Sequence, residues 1–463
     1  MVEEKKEKES HPPKGVTRRD FTRIAATFGL TSTMLAYGGL ARAGSPPDAL
    51  QLAQKAAETA KERSKVTPKV KLKYGMAGHD IESTWVAKVG TYDFISDIEE
   101  RTDYAIQIDA MAANSGCGEM TCTEKCIQGI IDLYCTSTNN ASAVCPYFNI
   151  LDFGALWPSR AALYSFALDY RSEDLYREPM RRLYGLEMLF GDYGLRGFFM
   201  SKVKYGEGKP ALDTLDKLRA TGAKLRTTGT LFGLKSMQLM GVNPVAISYE
   251  EVVDAVRQGA IDGAEAWEIP FEMIHFTEFT GQYLYLKYCS GNWTTGMNVK
   301  SLEKMPANLR DALMESAYLA QVATLGKEEA SIWMKAGSGE CDPPPPSTEH
   351  WRTGIRNIQW SDEEMTKLEK LISPRHNPDP WKDWMDKLNK LYTRGDIFEK
   401  MYAIAHEVPA NAYAIDIIPK RWWKPNPPWW NDPATAPWRR GNGYFGRTMD
   451  KKISIINKNK RLN

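Results

Sequence analysis

"KLRTTGTLFGLKSMQLMGVNPVAISYEEVVDAVRQGAIDGAEAW", residues 224–267, is the most ordered pattern in the chain. A short strand ends at Arg226, and a helical run follows the hydroxyl-rich "TTGT". Gly241 to Pro244 reads as a turn into a second strand. Ser248 and Glu251 stand in capping-box spacing before a helix that closes near Gly259. A last short strand leads to Trp267. Strand–helix–strand–helix–strand in this rhythm predicts parallel α/β structure.

The same alternation extends to both sides. "VKLKYG" (70–75) reads as a strand, 83–102 as a helix, "YAIQIDAM" (104–111) as a strand and "IIDLYCTST" (130–138) as a buried strand. Residues 302–336 are helical in pattern, until the four prolines Pro343–Pro346 end that run. Nine of the fourteen tryptophans lie beyond this break, so aromatic burial or an interface is expected of the tail. No internal repeat is present.

The N-terminus carries Arg18 and Arg19, then Phe21 and Arg23, an apolar run and "ARA" before Gly44. This is a charged, then apolar, then small-residue leader in the twin-arginine style, and it predicts export to the periplasm. The balance of 60 Lys+Arg against 58 Asp+Glu leaves no basic excess for a nucleic-acid partner. There is no P-loop, no dinucleotide glycine turn, no G-x-S-x-G elbow and no H-E-x-x-H. Enzyme chemistry is therefore not expected.

Five of the seven cysteines, Cys117, Cys122, Cys126, Cys135 and Cys145, fall within 29 positions. Their spacing lacks the C-x2-C bite of zinc and iron–sulfur sites. In an oxidising compartment disulfides are the better reading, with no cofactor or metal. Cys122 and Cys126, at i and i+4 on one helix, have diverging side chains and are poor partners for each other. Cys117–Cys122 and a link to Cys145 both stay open, as do Cys289 and Cys341, and an odd count leaves at least one thiol over.

Several blocks together resemble the substrate-binding proteins of tripartite ATP-independent periplasmic (TRAP) transporters, DctP type. They are "CIQGIIDLYCTST", "YGLRGFFMSK", Lys224-Leu225-Arg226, "GVNPVAIS", "SYEEV", "RQGAIDG" and "NVKSLEKMPANLRDALMESA". The match runs in order over roughly residues 70 to 330. The resemblance implies a two-lobed α/β periplasmic binding protein with a ligand cleft between the lobes, a long connecting helix and an extra C-terminal extension. The expected organisation is a signal peptide over 1–43, lobe I over 69–195 with a return segment at about 297–336, lobe II over 196–296, and the extension over 337–463. It also implies capture of a small organic carboxylate and delivery to TRAP membrane permease subunits.

Arg226 is the expected carboxylate clamp, since a guanidinium fork matches both carboxylate oxygens and stays protonated. The resemblance adds Arg196 as a second arginine, and Trp267 is the candidate aromatic wall. Thr136 and Ser137 stand at the end of a buried strand, where α/β sheets bind ligands. Trp85 is placed to close the cleft from the first lobe, whereas His79 beside it reads as a structural histidine. Ala266 stands where many relatives carry Asn or Glu, and Glu265 and Glu268 are expected to point elsewhere by strand alternation. A metal-bridged oxo acid is disfavoured for that reason. Two rival readings are a TRAP-like fold recruited as a structural or partner-docking subunit, homodimeric or otherwise joined through its tail, and a cysteine-bound cofactor protein.

Overall fold

The computed structural model describes residues 58–77, 87–228, 231–337, 342–410, 412, 417 and 419–423. Residues up to Thr67 form a unit of their own, described only over 58–67, where 58–64 is helical. The expected signal peptide, His79, Trp85 and Cys341 lie outside the described residues. Everything below concerns the unit that starts at Pro68.

Its first lobe is built on a five-stranded sheet, order β2-β1-β3-β10-β4. β1 (Val70–Met76) and β2 (Ile106–Met111) pair in parallel, so the chain between them must cross over, and α1 (Ala87–Arg101) does so. β3 (Leu133–Ser137) is buried along its whole length, as the reading of 130–138 as a buried strand anticipates, although it ends in the hydroxyls of Thr136 and Ser137. β10 (Ser290–Asn298) runs antiparallel between β3 and β4 (Leu186–Leu195). The return to the first lobe therefore begins at Ser290, ahead of the position near 297 expected from sequence. "SGNWTTGMN" hides this strand because it is buried at every position yet consists mostly of Ser, Gly, Asn and Thr, with no apolar alternation to read.

The second lobe has a six-stranded sheet, order β11-β9-β5-β8-β6-β7. β5 (Gly197–Ser201) is antiparallel to β8 (Gly263–Ala266) and β9 (Thr280–Leu284). β6 (Lys224–Thr227) is parallel to β7 (Asn243–Ala246) and β8. Between β6 and β7 lies α2 (Leu231–Met240), and α3 (Val252–Arg257) precedes β8. The capping box expected at Ser248 does not form. α3 starts later, with Glu251 at its N-cap and no side-chain cap bond, while Gly259 (φ 70°) ends it as read from sequence.

The chain crosses between the sheets at two adjacent points. Arg196 joins β4 to β5, and 285–289 joins β9 to β10. The crossings are bonded together: Arg196 N–H donates to Cys289 O at 2.9 Å and Tyr288 N–H to Arg196 O at 3.3 Å. The 30-residue α4 (Ala307–Ala336), about 45 Å long, packs on α1 and β4 and also on the short helix Glu268–Met273 of the second lobe.

The described residues beyond 337 pack onto both lobes. β11 (Arg356–Ile358) extends the second sheet beside β9, and α5 (Asp362–Ile372) buries Leu368 and Ile372 in that lobe's core. Trp381, Leu388, Phe398 and Met401 then enter the first lobe's core. Trp381 stands 6.2 Å from the Phe153 ring and 5.2 Å from that of Phe232 at the start of α2. The described part of the tail is thus inside the fold, which is where several of its tryptophans find their burial.

Candidate functional site

Twelve of the described residues line a small cavity between the two sheets. Glu119, Ser137, Asn140 and Trp293 come from the first lobe, and Arg196 comes from the crossing. Arg226, Thr228, Tyr249, Ala266, Trp267, Pro270 and Phe271 come from the second. Its volume of about 20 Å³ holds little more than a water, so an organic ligand enters only with side-chain or lobe movement.

Arg226, the last but one residue of β6, is 2% exposed. Its Nε donates to Ile247 O at 2.9 Å and Nη1 reaches Glu265 O at 3.5 Å, both backbone carbonyls. Among the described residues no carboxylate forms an ion pair with it, and burial pushes its pKa down, partly offset by the charge of nearby Glu265. A buried guanidinium satisfied only by carbonyls retains free N–H groups and an uncompensated charge.

Arg196 is equally buried but differently employed. Nε donates to Ser290 O at 2.9 Å, Nη1 to the Glu265 carboxylate and Nη2 to the Asn139 amide oxygen. Burial, the largest single influence, pushes its pKa down, but the charge and hydrogen bond of Glu265 together with neighbouring Cys289 and Tyr288 outweigh it, so the pKa is raised. Glu265 also accepts from Thr228 N at 3.1 Å, and Thr227 Oγ1 and Tyr288 Oη lie within 3.4 Å. Strand alternation set Glu265 apart from Ala266 correctly, but its destination was missed. It turns behind the cavity wall and takes up the second arginine.

Trp267 lines the cavity, edge-on to Trp293 with ring centres 5.6 Å apart and with the Arg196 guanidinium 5.1 Å from its ring. The indole lies against bare backbone of both crossing strands. A Cβ at Gly194 or Gly291 would fall 2.3 or 2.1 Å from its atoms, so only glycine fits there.

The strand-end hydroxyls serve another residue. Glu119 Oε2 accepts from Thr136 Oγ1 (2.7 Å), Ser137 N (3.1 Å), Ser137 Oγ (3.0 Å) and Asn140 Nδ2 (3.1 Å). Thr136 itself is fully buried and does not reach the cavity, whereas Ser137 does. Sequence reading passed over Glu119, although it lies between two cysteines. Cys117 and Cys122 form a disulfide, which brackets the four residues 118–121 in a tight loop.

Cys126, Cys135, Cys145 and Cys289 are buried thiols that form no disulfide among the described residues. Burial pushes the Cys135 and Cys145 thiols up to about 12, the reverse of what a metal ligand or nucleophile requires. Among the described residues no group of three or more His, Cys, Asp or Glu side chains is arranged to hold a metal. No described helix is long and apolar enough to cross a membrane.

Two lobes with two crossing strands, a long helix and a buried arginine in the cleft agree with one family. The pattern of the bacterial extracellular solute-binding proteins, family 7, is matched over residues 78–356, more than half of the chain. The chain belongs to that family. Solved structures share the fold of this family 7 protein. A TRAP periplasmic solute-binding protein of Ralstonia eutropha H16, with bound (S)-2-acetolactate, aligns at TM-score 0.57 and 17% identity, over 73% of this chain and 99% of that one. One from Desulfovibrio salexigens, with bound orotic acid, aligns at 0.58 and 14%, over 72% and 99%. An extracytoplasmic solute receptor of Bordetella pertussis that binds pyroglutamic acid aligns at 0.55 and 13%, over 73% and 99%. An uncharacterised protein of Salmonella typhimurium, YiiZ, is 23% identical over 242 residues, 51% of this chain and 68% of the other. Family 7 proteins bind solutes rather than transform them, and this cleft has no catalytic constellation among its lining residues.

Proposed function

We propose that this family 7 protein captures a small organic anion through a carboxylate held by Arg226 and delivers it to a TRAP-type membrane permease. The observation that carries the reading is the state of Arg226: buried, fixed at Nε by a carbonyl, and with no ion-paired acid among the described residues, in a cleft between two lobes. A carboxylate entering there supplies the missing charge and accepts the free N–H groups in forked geometry. Arg196 backs the site with its charge already balanced, Trp267 gives the ligand an apolar wall, and Ser137 adds a polar edge from the first lobe. The acids bound by the Ralstonia and Desulfovibrio proteins are of this chemical class. The leader with Arg18 and Arg19 supports work in the periplasm after twin-arginine export.

Arg226→Ala tests the reading. In a thermal-shift screen of mono- and dicarboxylates, sugar acids and amino acids, the parent gains melting temperature with its preferred acid, while the variant folds and gains none. An undiminished shift in the variant contradicts it.

A further inference from the structure

Among the described residues, the lining of the cleft holds three charged side chains, Glu119, Arg196 and Arg226. Arg196 is balanced by Glu265, at 2% and 1% side-chain exposure. One cation from the second lobe, Arg226, and one anion from the first, Glu119, then remain in the described lining of the same cavity. We infer that the ligand is a zwitterion, an amino acid in the broad sense, whose carboxylate pairs with Arg226 and whose protonated amine pairs with Glu119. This rests on the carboxylate reading above and adds the identity of the second group.

Glu119 is a built acceptor. It is 7% exposed, and all four donors that fix it converge on Oε2. Oε1 is buried and has no hydrogen-bond partner among the described residues. Leaving such an oxygen unpaired is costly, and a charged donor satisfies it best. Tyr249 ties the two charges to one place. It lines the cavity, its hydroxyl donates to Pro270 O at 2.6 Å, and both Glu119 and Arg226 act electrostatically on its phenol. A simple carboxylate closing on this cleft would leave Glu119 as uncompensated negative charge. A dicarboxylate would set a second anion against it, and buried like charges are strongly disfavoured. A zwitterion leaves the closed site neutral.

The test is calorimetry on the full mature chain with matched probes. Alanine, β-alanine and γ-aminobutyrate are compared with lactate, 3-hydroxypropionate and 4-hydroxybutyrate, and with succinate as a dianion. The best amino acid should bind at least tenfold tighter than its hydroxy counterpart and than succinate. Glu119→Gln keeps its amide oxygen on the four donors and turns the NH2 toward the ligand. That variant should lose the preference for amino acids while keeping or improving its affinity for hydroxy acids or succinate. Glu119→Asp, which keeps the charge, should retain the preference and serves if the glutamine variant fails to fold. Hydroxy acids or succinate binding the parent as tightly as any amino acid overturn the inference and leave the carboxylate site standing. So does a preference that survives in Glu119→Gln. If no compound of any class binds in an Arg226-dependent way, the carboxylate reading falls and this one with it.

Discussion

Replacing Glu265 with alanine would strip the charge from behind the cleft. Its carboxylate is the only anion paired with Arg196 among the described residues, and the two side chains are 1% and 2% exposed. It also accepts the backbone N–H of Thr228 at 3.1 Å. The methyl group that remains can do neither, and the guanidinium, held at Ser290 O and Asn139, cannot swing out to water. Removing one partner of a buried pair costs about 3–5 kcal/mol, a large share of the roughly 5–15 kcal/mol that holds a domain folded. Urea unfolding followed by tryptophan fluorescence should show a lower midpoint at unchanged slope. Replacing both partners with apolar residues, as in Arg196→Met with Glu265→Leu, should cost much less than the two single changes added together, because no charge is stranded. A loss below about 1 kcal/mol for Glu265→Ala, or strict additivity in the cycle, would refute the pairing as the support of this wall.

Cys117→Ser with Cys122→Ser, or reduction, should cost about 2 kcal/mol through loop closure and also weaken ligand binding, since the bridged loop presents Glu119; calorimetry on the reduced protein checks this. Asp192 is buried with no cation paired to it among the described residues, and burial raises its pKa to about 7. A raised carboxyl pKa makes the folded state lose stability as pH climbs from the unfolded value toward 7, with no further loss above it. Asp192→Asn should therefore match the parent near pH 4 and melt higher at pH 8, worth about 2–4 kcal/mol, and a constant difference across that range would count against it. Trp381→Ala removes a fully buried ring that touches Phe153 and Phe232 and should destabilise the protein by about 3–5 kcal/mol, whereas a free-standing tail would lose nothing in a melting scan.

The second lobe's β6, α2, β7, α3 and β8 were legible because each apolar run is short, separately punctuated and locally consistent with its state. The return strand β10 was not, since "SGNWTTGMN" is mostly Ser, Gly, Asn and Thr and is buried on both faces by neighbours distant in sequence. The place of Arg226 near a strand end before a helix was legible from the residues around it. The balance of Arg196 was not, because Glu265 reaches it across 69 positions and only the sheet order brings β5 beside β8. Glu119 was masked by the cysteines around it: a dense cysteine pattern drew the reading toward metal or disulfide chemistry and away from the acid inside the loop. The tail's tryptophans suggested an interface as readily as a core, since composition reports apolar area and not what covers it.

The central claim is that Arg226 holds the ligand's carboxylate. Calorimetric titration of the best-binding acid into the parent, Arg226→Lys and Arg226→Ala tests it most directly. A buried, forked charge pair predicts a loss of about 3–5 kcal/mol for alanine, at least a hundredfold in Kd. Lysine should fall in between, because it restores the charge without the fork. Equal affinity in all three proteins, each shown to be folded, would contradict the account.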